Sequence, residues 1–256
     1  PYQYAFSPDG SASLVFERER IVRRASGFVF EGAVHEAMAV SGHMVHADIA
    51  IRHTGRHGEG SNRRNLSIYE AWRAGGRAMS PRDQYYYARE LASAGEDERA
   101  VQAYDEFLAM QGWSVNHQDA LRERGDCLVR LNRYAEAKQS YFVLLEKGEP
   151  RAETLCALGA CFLREGQLRA AALWYRAALL CRMPKDRRTF VFPDAYGYVP
   201  LMQLCVIYSK MGDNVLASQM NEQALLLRPG DASALQNRAY FAHKLKKDRQ
   251  NQGKAV

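Results

Sequence analysis

Three groups of side chains in this sequence have the types and spacing for chemistry. His35 and Glu36 stand together after Gly32, Ala33 and Val34. A carboxylate held there can take a proton from an acceptor, and the neighbouring imidazole can orient either partner. The plain alternatives are a glutamate in the first turn of a helix, favoured by the macrodipole, and a hydrogen-bonded structural histidine. His53 follows Val45, Ala47, Ile49 and Ile51, an alternation that reads as a strand. Strand ends facing a crevice are where open α/β sheets bind ligands, and neutral imidazole is a good ligand for a divalent metal. A surface histidine is the alternative reading, and His57, four residues on in a glycine-rich loop, is a weaker candidate. Arg56, Arg63 and Arg64 flank that loop, which contains Gly55, Gly58 and Gly60. Guanidinium forks match phosphate oxygens, and a flexible loop of this kind can close over a diphosphate. A solvated linker is the alternative.

The charge balance fits an anionic ligand without requiring one. Net charge is +6 over 256 residues, with the early excess carried by Arg18, Arg20, Arg23, Arg24, Arg52, Arg56, Arg63 and Arg64. Aromatic residues do not alternate with these cations, which argues against nucleic acid as a partner. The five cysteines, Cys127, Cys156, Cys161, Cys181 and Cys205, are odd in number and form no C-x-x-C pair. They read as buried thiols in a reducing compartment, and a cytoplasmic location is the expectation. No apolar run reaches the roughly 18–20 residues that span a bilayer. The first residue is Pro1, with no basic-then-apolar signal pattern, so a fragment or a processed chain is expected rather than a secreted one.

The elements that position these residues fall into two grammars. From about Pro81 the chain repeats. Ala88, Gly125, Gly159 and Cys205 are each followed twelve residues later by alanine: Ala100, Ala137, Ala171 and Ala217. Tyr104, Tyr141, Tyr175 and Asn221 stand four further on, then Phe107, Leu144, Ala178 and Ala224 after three more. Small residues let two helices approach, and the aromatic fills the space between neighbouring pairs. This predicts a tetratricopeptide-repeat superhelix over residues 76–256. Tyr85, Tyr86, Tyr87, Trp113 and Trp174 read mostly as its core, with a carbohydrate or peptide platform as the alternative for any that are exposed. The last spacing exceeds the others by about a dozen residues, placing an inserted loop or an extended second helix with a loop at 185–199. Asp231 is a candidate N-cap for a closing helix that ends near Lys246.

Residues 1–75 read as a small α/β region. Pro8-Asp9-Gly10 signals a turn, residues 13–16, 21–22 and 28–30 are β-prone, 34–40 reads as a short helix and 45–51 as a strand. Asn62 to Ala74 is helical, with Leu66, Ile68, Tyr69 and Trp72 on its apolar face. So few elements bury little area, and the region is expected to be the end of something larger.

Two stretches in this region, Glu17 to Met38 (ERERIVRRASGFVFEGAVHEAM) and Asp48 to Glu70 (DIAIRHTGRHGEGSNRRNLSIYE), resemble the C-terminal part of family 2 glycosyltransferase domains that carry tetratricopeptide repeats. There an "R-x-x-R … aromatic-x-G-x-V-H-E" element precedes a strand ending in "I-x-H", and a helix beginning "R-N" leads into the repeats. Ser80 to Gly95 also resembles the way those repeats begin. The resemblance implies that residues 1–75 are a remnant of a GT-A-like α/β domain. It implies an inverting, nucleotide-sugar-dependent transferase when complete, with Mn²⁺ or Mg²⁺ as cofactor. Glu36 and His35 would then be catalytic, Arg56, Arg63 and Arg64 would meet the diphosphate, and His53 would join the metal site. The family's nucleotide-binding half and D-x-D motif are not in this sequence, so neither cofactor is expected to bind this chain tightly. The repeats would hold a protein or peptide acceptor or mediate a homodimer. A non-catalytic protein-interaction scaffold is the alternative function.

Overall fold

Helix pairing, set by the repeat register, organises most of the molecule. The computed structural model describes residues 2–7, 10–17, 21–32, 34–38, 40–45, 47, 49–52, 60–110, 116–148, 150–184 and 190–252. The chain divides into two units. One comprises Pro1–Ala5, Val15–Lys147 and Asp186–Phe190; the other comprises Phe6–Leu14, Gly148–Lys185 and Val191–Val256.

The first unit holds α1 (Gly60–Ala74), α2 (Pro81–Ser93), α3 (Asp97–Ala109), α4 (His117–Arg130) and α5 (Tyr134–Glu146). Ser80 starts α2: its hydroxyl accepts from the Asp83 N–H at 3.2 Å, and Pro81 presets the first turn. α2 packs on α3, α4 on α5, and α3 on α4, while α1 lies against α2. The second unit holds α6 (Ala152–Arg164), α7 (Leu168–Ala178), α8 (Tyr198–Lys210), α9 (Asn214–Leu227) and α10 (Ala232–Gln252). There α6 pairs with α7 and α8 with α9, and α10 closes on α9. Among the described residues no helix is long and apolar enough to cross a membrane.

The register read from the sequence is the packing register. Ala88, Ala100, Ala137, Ala171 and Ala217 are fully buried, as are Tyr104, Tyr141 and Asn221. A further slot recurs seven residues after the first: Gly95, Asn132, Gly166 and Gly212 all have positive φ, between 59° and 85°. That left-handed residue ends the first helix of each pair and turns the chain into the second, which is why glycine or asparagine fills it. Four thiols, Cys127, Cys156, Cys161 and Cys205, are buried and Cys181 is half-buried; all five are free. Burial pushes Cys127 and Cys156 up to about 12 and Cys205 up to about 11, so they pack as small apolar groups. Tyr85, Tyr86 and Tyr87 are buried core as the register requires, Trp174 is half-buried, and Trp113 lies outside the described residues.

Asp231 caps α10, accepting from the Ala234 N–H at 2.8 Å. That hydrogen bond holds its carboxyl below the ordinary carboxylate value. A folded value below the unfolded one stabilises at pH above the unfolded value of about 3.9, and the gain is lost as pH falls through the folded value. Asp231→Ala should therefore cost about 0.5–2 kcal/mol at neutral pH in a urea melt, and much less at the acid end of that window. An equal loss at both would mean the cap carries no charge-dependent stability.

The strands are short: β1 (Tyr2–Phe6), β2 (Ala12–Phe16), β3 (Phe30–Glu31), β4 (Ala37–Met38) and β5 (Ile51–Arg52). One sheet has the order β2-β1-β5, with β5 parallel to β1 through Tyr2↔Ile51 and Gln3↔Arg52. β3 pairs antiparallel with β4 through Phe30↔Met38 and Glu31↔Ala37. Two expectations are corrected here. Residues 34–40 are not a helix: Gly32 (φ +117°) and His35 (φ +55°) reverse the chain, so 37–38 return to pair with 30–31. The alternation over 45–51 forms a ladder only from Ile51, because Val45 and Ile49 are exposed and no core face rewards the alternation. The 185–199 excess falls partly outside the described residues, and over 190–197 it is not a longer helix. Its described part is a buried stretch at Phe190 and Val191, a 3₁₀ turn over Pro193–Tyr196 and the start of α8.

Candidate functional site

The structure gathers polar chemistry on the first helix of a pair in each unit. In the first unit it centres on α2 and the His35 turn. His35 Nε2 donates to Glu90 Oε1 at 2.5 Å, and Asn65 Nδ2 of α1 reaches the same oxygen at 3.5 Å. The His35 ring stacks on Tyr86, with centroids 4.6 Å apart. Arg82 Nη2 donates to the His35 carbonyl oxygen, and its guanidinium lies 4.7 Å from the Tyr86 ring centre. Gly32 has φ +117°, a conformation that favours glycine, and a Cβ there would stand 2.7 Å from Arg82 Nη1 and displace that guanidinium.

This knot is buried and only partly satisfied. Glu90 is 5% exposed, Asp83 9% and Tyr69 fully buried. Tyr69 Oη, Arg82 Nη1, Asp83 Oδ1 and Glu90 Oε2 have no hydrogen-bond partner among the described residues. Burial, with the carboxylates of Asp83 and Glu90 close by, pushes the Tyr69 phenol well above its ordinary value. It stays protonated and able to donate. Two donors and two acceptors left together make a polar centre of high cost unless each is met by water or a bound group.

Along the same unit, cations and carboxylates pair between helices. Arg89 Nε lies 3.3 Å from Glu123 Oε1, and Arg122 meets Glu123 at 3.2 Å and Asp126 at 2.8 Å. Tyr104 donates to Glu123 Oε2 at 2.8 Å and Tyr141 to Asp126 Oδ1 at 2.7 Å. The Arg89 guanidinium stands 4.5 Å from the Phe190 ring centre. With their charges matched internally, these residues read as the wall of the repeat rather than as an anion site.

In the second unit the corresponding chemistry is at Glu153, in the first turn of α6 and 8% exposed. Its carboxylate accepts from the Phe192 N–H at 3.0 Å and from the Tyr196 hydroxyl at 2.7 Å, with Arg151 at 3.6 Å. Asp194 Oδ1 pairs with Arg228 at 2.6 Å.

Of the residues singled out in the sequence, His35 is the one seated in a cluster. Glu36 is exposed beside it, and Arg63 and Arg64 are exposed on α1. His53, Arg56 and His57 lie outside the described residues, and so does any crevice shared by His53 and Glu36. Among the described residues no group of three His, Cys, Asp or Glu side chains could hold a metal. Sequence reading missed Arg82, Glu90 and Glu153. The signal was present: Arg82 and Glu153 each stand six residues before the small residue of their helix and so share one position of the repeat.

No family model matches the chain, and no curated protein matches it. Solved structures do. MamA from Desulfovibrio magneticus RS-1, residue 41 to the end, superposes with a TM-score of 0.54 at 18% identity over 68% of this chain and 89% of its own. The APC/C hetero-tetramer Cut9–Hcn1 gives a TM-score of 0.54 at 16% identity over 73% and 34%. A tetratricopeptide repeat protein from Parabacteroides merdae ATCC 43184 gives 0.51 at 11% identity over 76% and 77%. At such identities the likeness is one of fold, and the transferase resemblance of residues 17–70 continues to rest on sequence. The helix pairs, their register and these likenesses together make this a chain of the tetratricopeptide-repeat fold with a small strand region before it.

Proposed function

We propose that the chain is a protein-interaction scaffold whose repeats hold polypeptide segments by their backbone. One observation carries this reading. Arg82 and Glu153 occupy the same slot of their repeats in different units, and each binds a backbone group of a non-repeat segment: the His35 carbonyl and the Phe192 N–H. Main-chain hydrogen bonds supply affinity in many peptide complexes, and flanking side chains supply selectivity. The Cut9–Hcn1 neighbour, named as a hetero-tetramer, supports a role in assembly. The test is peptide selection from a display library on this 256-residue chain, with bound peptides mapped by hydrogen exchange. Protection on α2, α4, α6 or α8 is expected. No binder tighter than about 100 μM, or protection confined to other elements, would remove the reading.

A second reading has its own observation. The V-H-E element is held on α2 by Glu90 and Arg82, leaving Glu36 exposed beside His35. It would be the end of an inverting transferase whose donor is a nucleotide sugar and whose cofactor is a divalent cation. Glu36 would then be the base, Arg56, Arg63 and Arg64 the diphosphate contacts, and His53 a metal ligand. The described residues offer no cage for the cation by themselves. Calorimetric titration of this chain with Mn²⁺ and a nucleoside-diphosphate sugar should accordingly show no saturation below about 1 mM. Tight joint binding would place the active site within this chain and overturn that division.

A further inference from the structure

The described part of the excess between the third and fourth repeats is seated like a ligand. Helix pairs close without it elsewhere, yet here residues 191–197 lie on α6 and bury Val191 completely and Ala195 to 6% exposure. Two of their polar contacts meet on one side chain, Glu153. Glu153 is a carboxylate removed from water, a state that is costly unless hydrogen bonds replace hydration. Two donors that do so come from the insertion: the Phe192 N–H at 3.0 Å and the Tyr196 hydroxyl at 2.7 Å. The turn beginning at Pro193 sets them four residues apart on one side of the segment, closed by the Ala195 N–H to the Phe192 carbonyl at 3.0 Å. Cys156, three residues after Glu153 on α6, lies 3.7 Å from the Ala195 carbonyl oxygen. Asp194 holds the outer side of the turn through Arg228 at 2.6 Å. A backbone amide and a phenol meet one carboxylate, with Pro193, Asp194 and Ala195 forming the turn between them, and this combines main-chain and side-chain contacts as peptide recognition does.

We propose that residues 191–197 are a built-in ligand of α6, and that Glu153 is the recognition residue of a peptide-docking surface. That surface takes a segment that presents a free backbone N–H and, one 3₁₀ turn and four residues later, a tyrosine. A partner segment of this kind binds by displacing the insertion. The proposal rests on the scaffold reading above and names its partner chemistry. Each hydrogen bond to the charged carboxylate is worth about tenfold or more in affinity, so a competitor lacking either donor cannot displace the insertion.

The test uses the full chain and a fluorescein-labelled peptide of residues 190–198, FVFPDAYGY. In the variant Phe192→Pro, Tyr196→Phe, which lacks both donors, the peptide should bind at least about tenfold tighter than to the native chain. Adding Glu153→Ala should abolish that binding. Absence of binding to the variant, equal binding to the native chain, or binding that survives Glu153→Ala overturns the proposal. If the variant does not fold, native-state hydrogen exchange decides. The Phe192 amide should exchange by local opening, at least about a hundredfold faster than the Leu158 amide in α6, and Tyr196→Phe should speed it further without changing Leu158. Exchange of both amides only on global unfolding makes the insertion a fixed part of the repeat and overturns the proposal. Library peptides that still map to the first helices while this peptide fails would sink this inference and leave the scaffold reading standing.

Discussion

Gly125→Ala is expected to destabilise the chain by about 1–3 kcal/mol, although alanine is the better helix former. A Cβ at Gly125 would stand 2.5 Å from Tyr141 Cε1 and 2.6 Å from its Cζ. The ring cannot step aside cheaply, because its hydroxyl is tied to Asp126 Oδ1 at 2.7 Å and Asp126 is in turn paired with Arg122. Removing the backbone freedom of glycine in a helix returns only about 1 kcal/mol, so the clash wins. Gly159 provides the internal comparison. There the added Cβ would meet Tyr175 Cε2 at 2.8 Å, a slightly wider gap against a ring with no such tether among the hydrogen bonds described. Gly159→Ala should cost less than Gly125→Ala, and Gly159→Leu about 1–3 kcal/mol. Urea melts of the three variants, read as differences from the native chain, check this. Equal stability of Gly125→Ala and the native chain would mean that the helices separate freely at the crossing, contrary to the packing described.

His35→Ala should cost about 1–3 kcal/mol, and the loss should be local to the segment it anchors. Removing the imidazole leaves the Glu90 carboxylate, 7% exposed as a side chain, with Asn65 at 3.5 Å as its remaining described donor. Stripping one partner from a buried pair costs about 3–5 kcal/mol, but His35 is 35% exposed, so solvent screens part of it. The ring also gives up its stacking on Tyr86. Glu90→Gln in the same background removes the stranded charge and should recover part of the loss. The double-mutant cycle then measures the His35–Glu90 coupling directly. In parallel, hydrogen exchange at Phe30, Glu31, Ala37 and Met38 should accelerate in His35→Ala, because the β3–β4 turn loses its hold on α2. A change under about 0.5 kcal/mol with unaltered exchange at those four residues would return His35 to the status of a surface histidine.

The repeats were legible in the sequence because their determinants are local. A small residue, an alanine twelve positions on and an aromatic four beyond that lie within one helix pair, and burial follows from the period. The same locality made Asp231 readable as a cap and four of the five cysteines readable as core, with Cys181 half-buried. It even contained the left-handed slot at Gly95, Asn132, Gly166 and Gly212, visible once the register is fixed.

What tertiary structure decided were the contacts that no local window holds. Residues 34–40 have helical composition, yet Phe30↔Met38 pairing and the turn at His35 set their conformation, since a ladder and a seat on α2 outweigh a weak helical preference. His35 was recognisable as a candidate, but its partner Glu90 is 55 residues away, and Glu153 finds Tyr196 only 43 residues later. Each of those carboxylates reads in sequence as an ordinary solvent-facing helix residue. Only the fold removes it from water, and once removed it must find donors; that requirement, rather than any motif, selects which segments of the chain come to rest on the repeats.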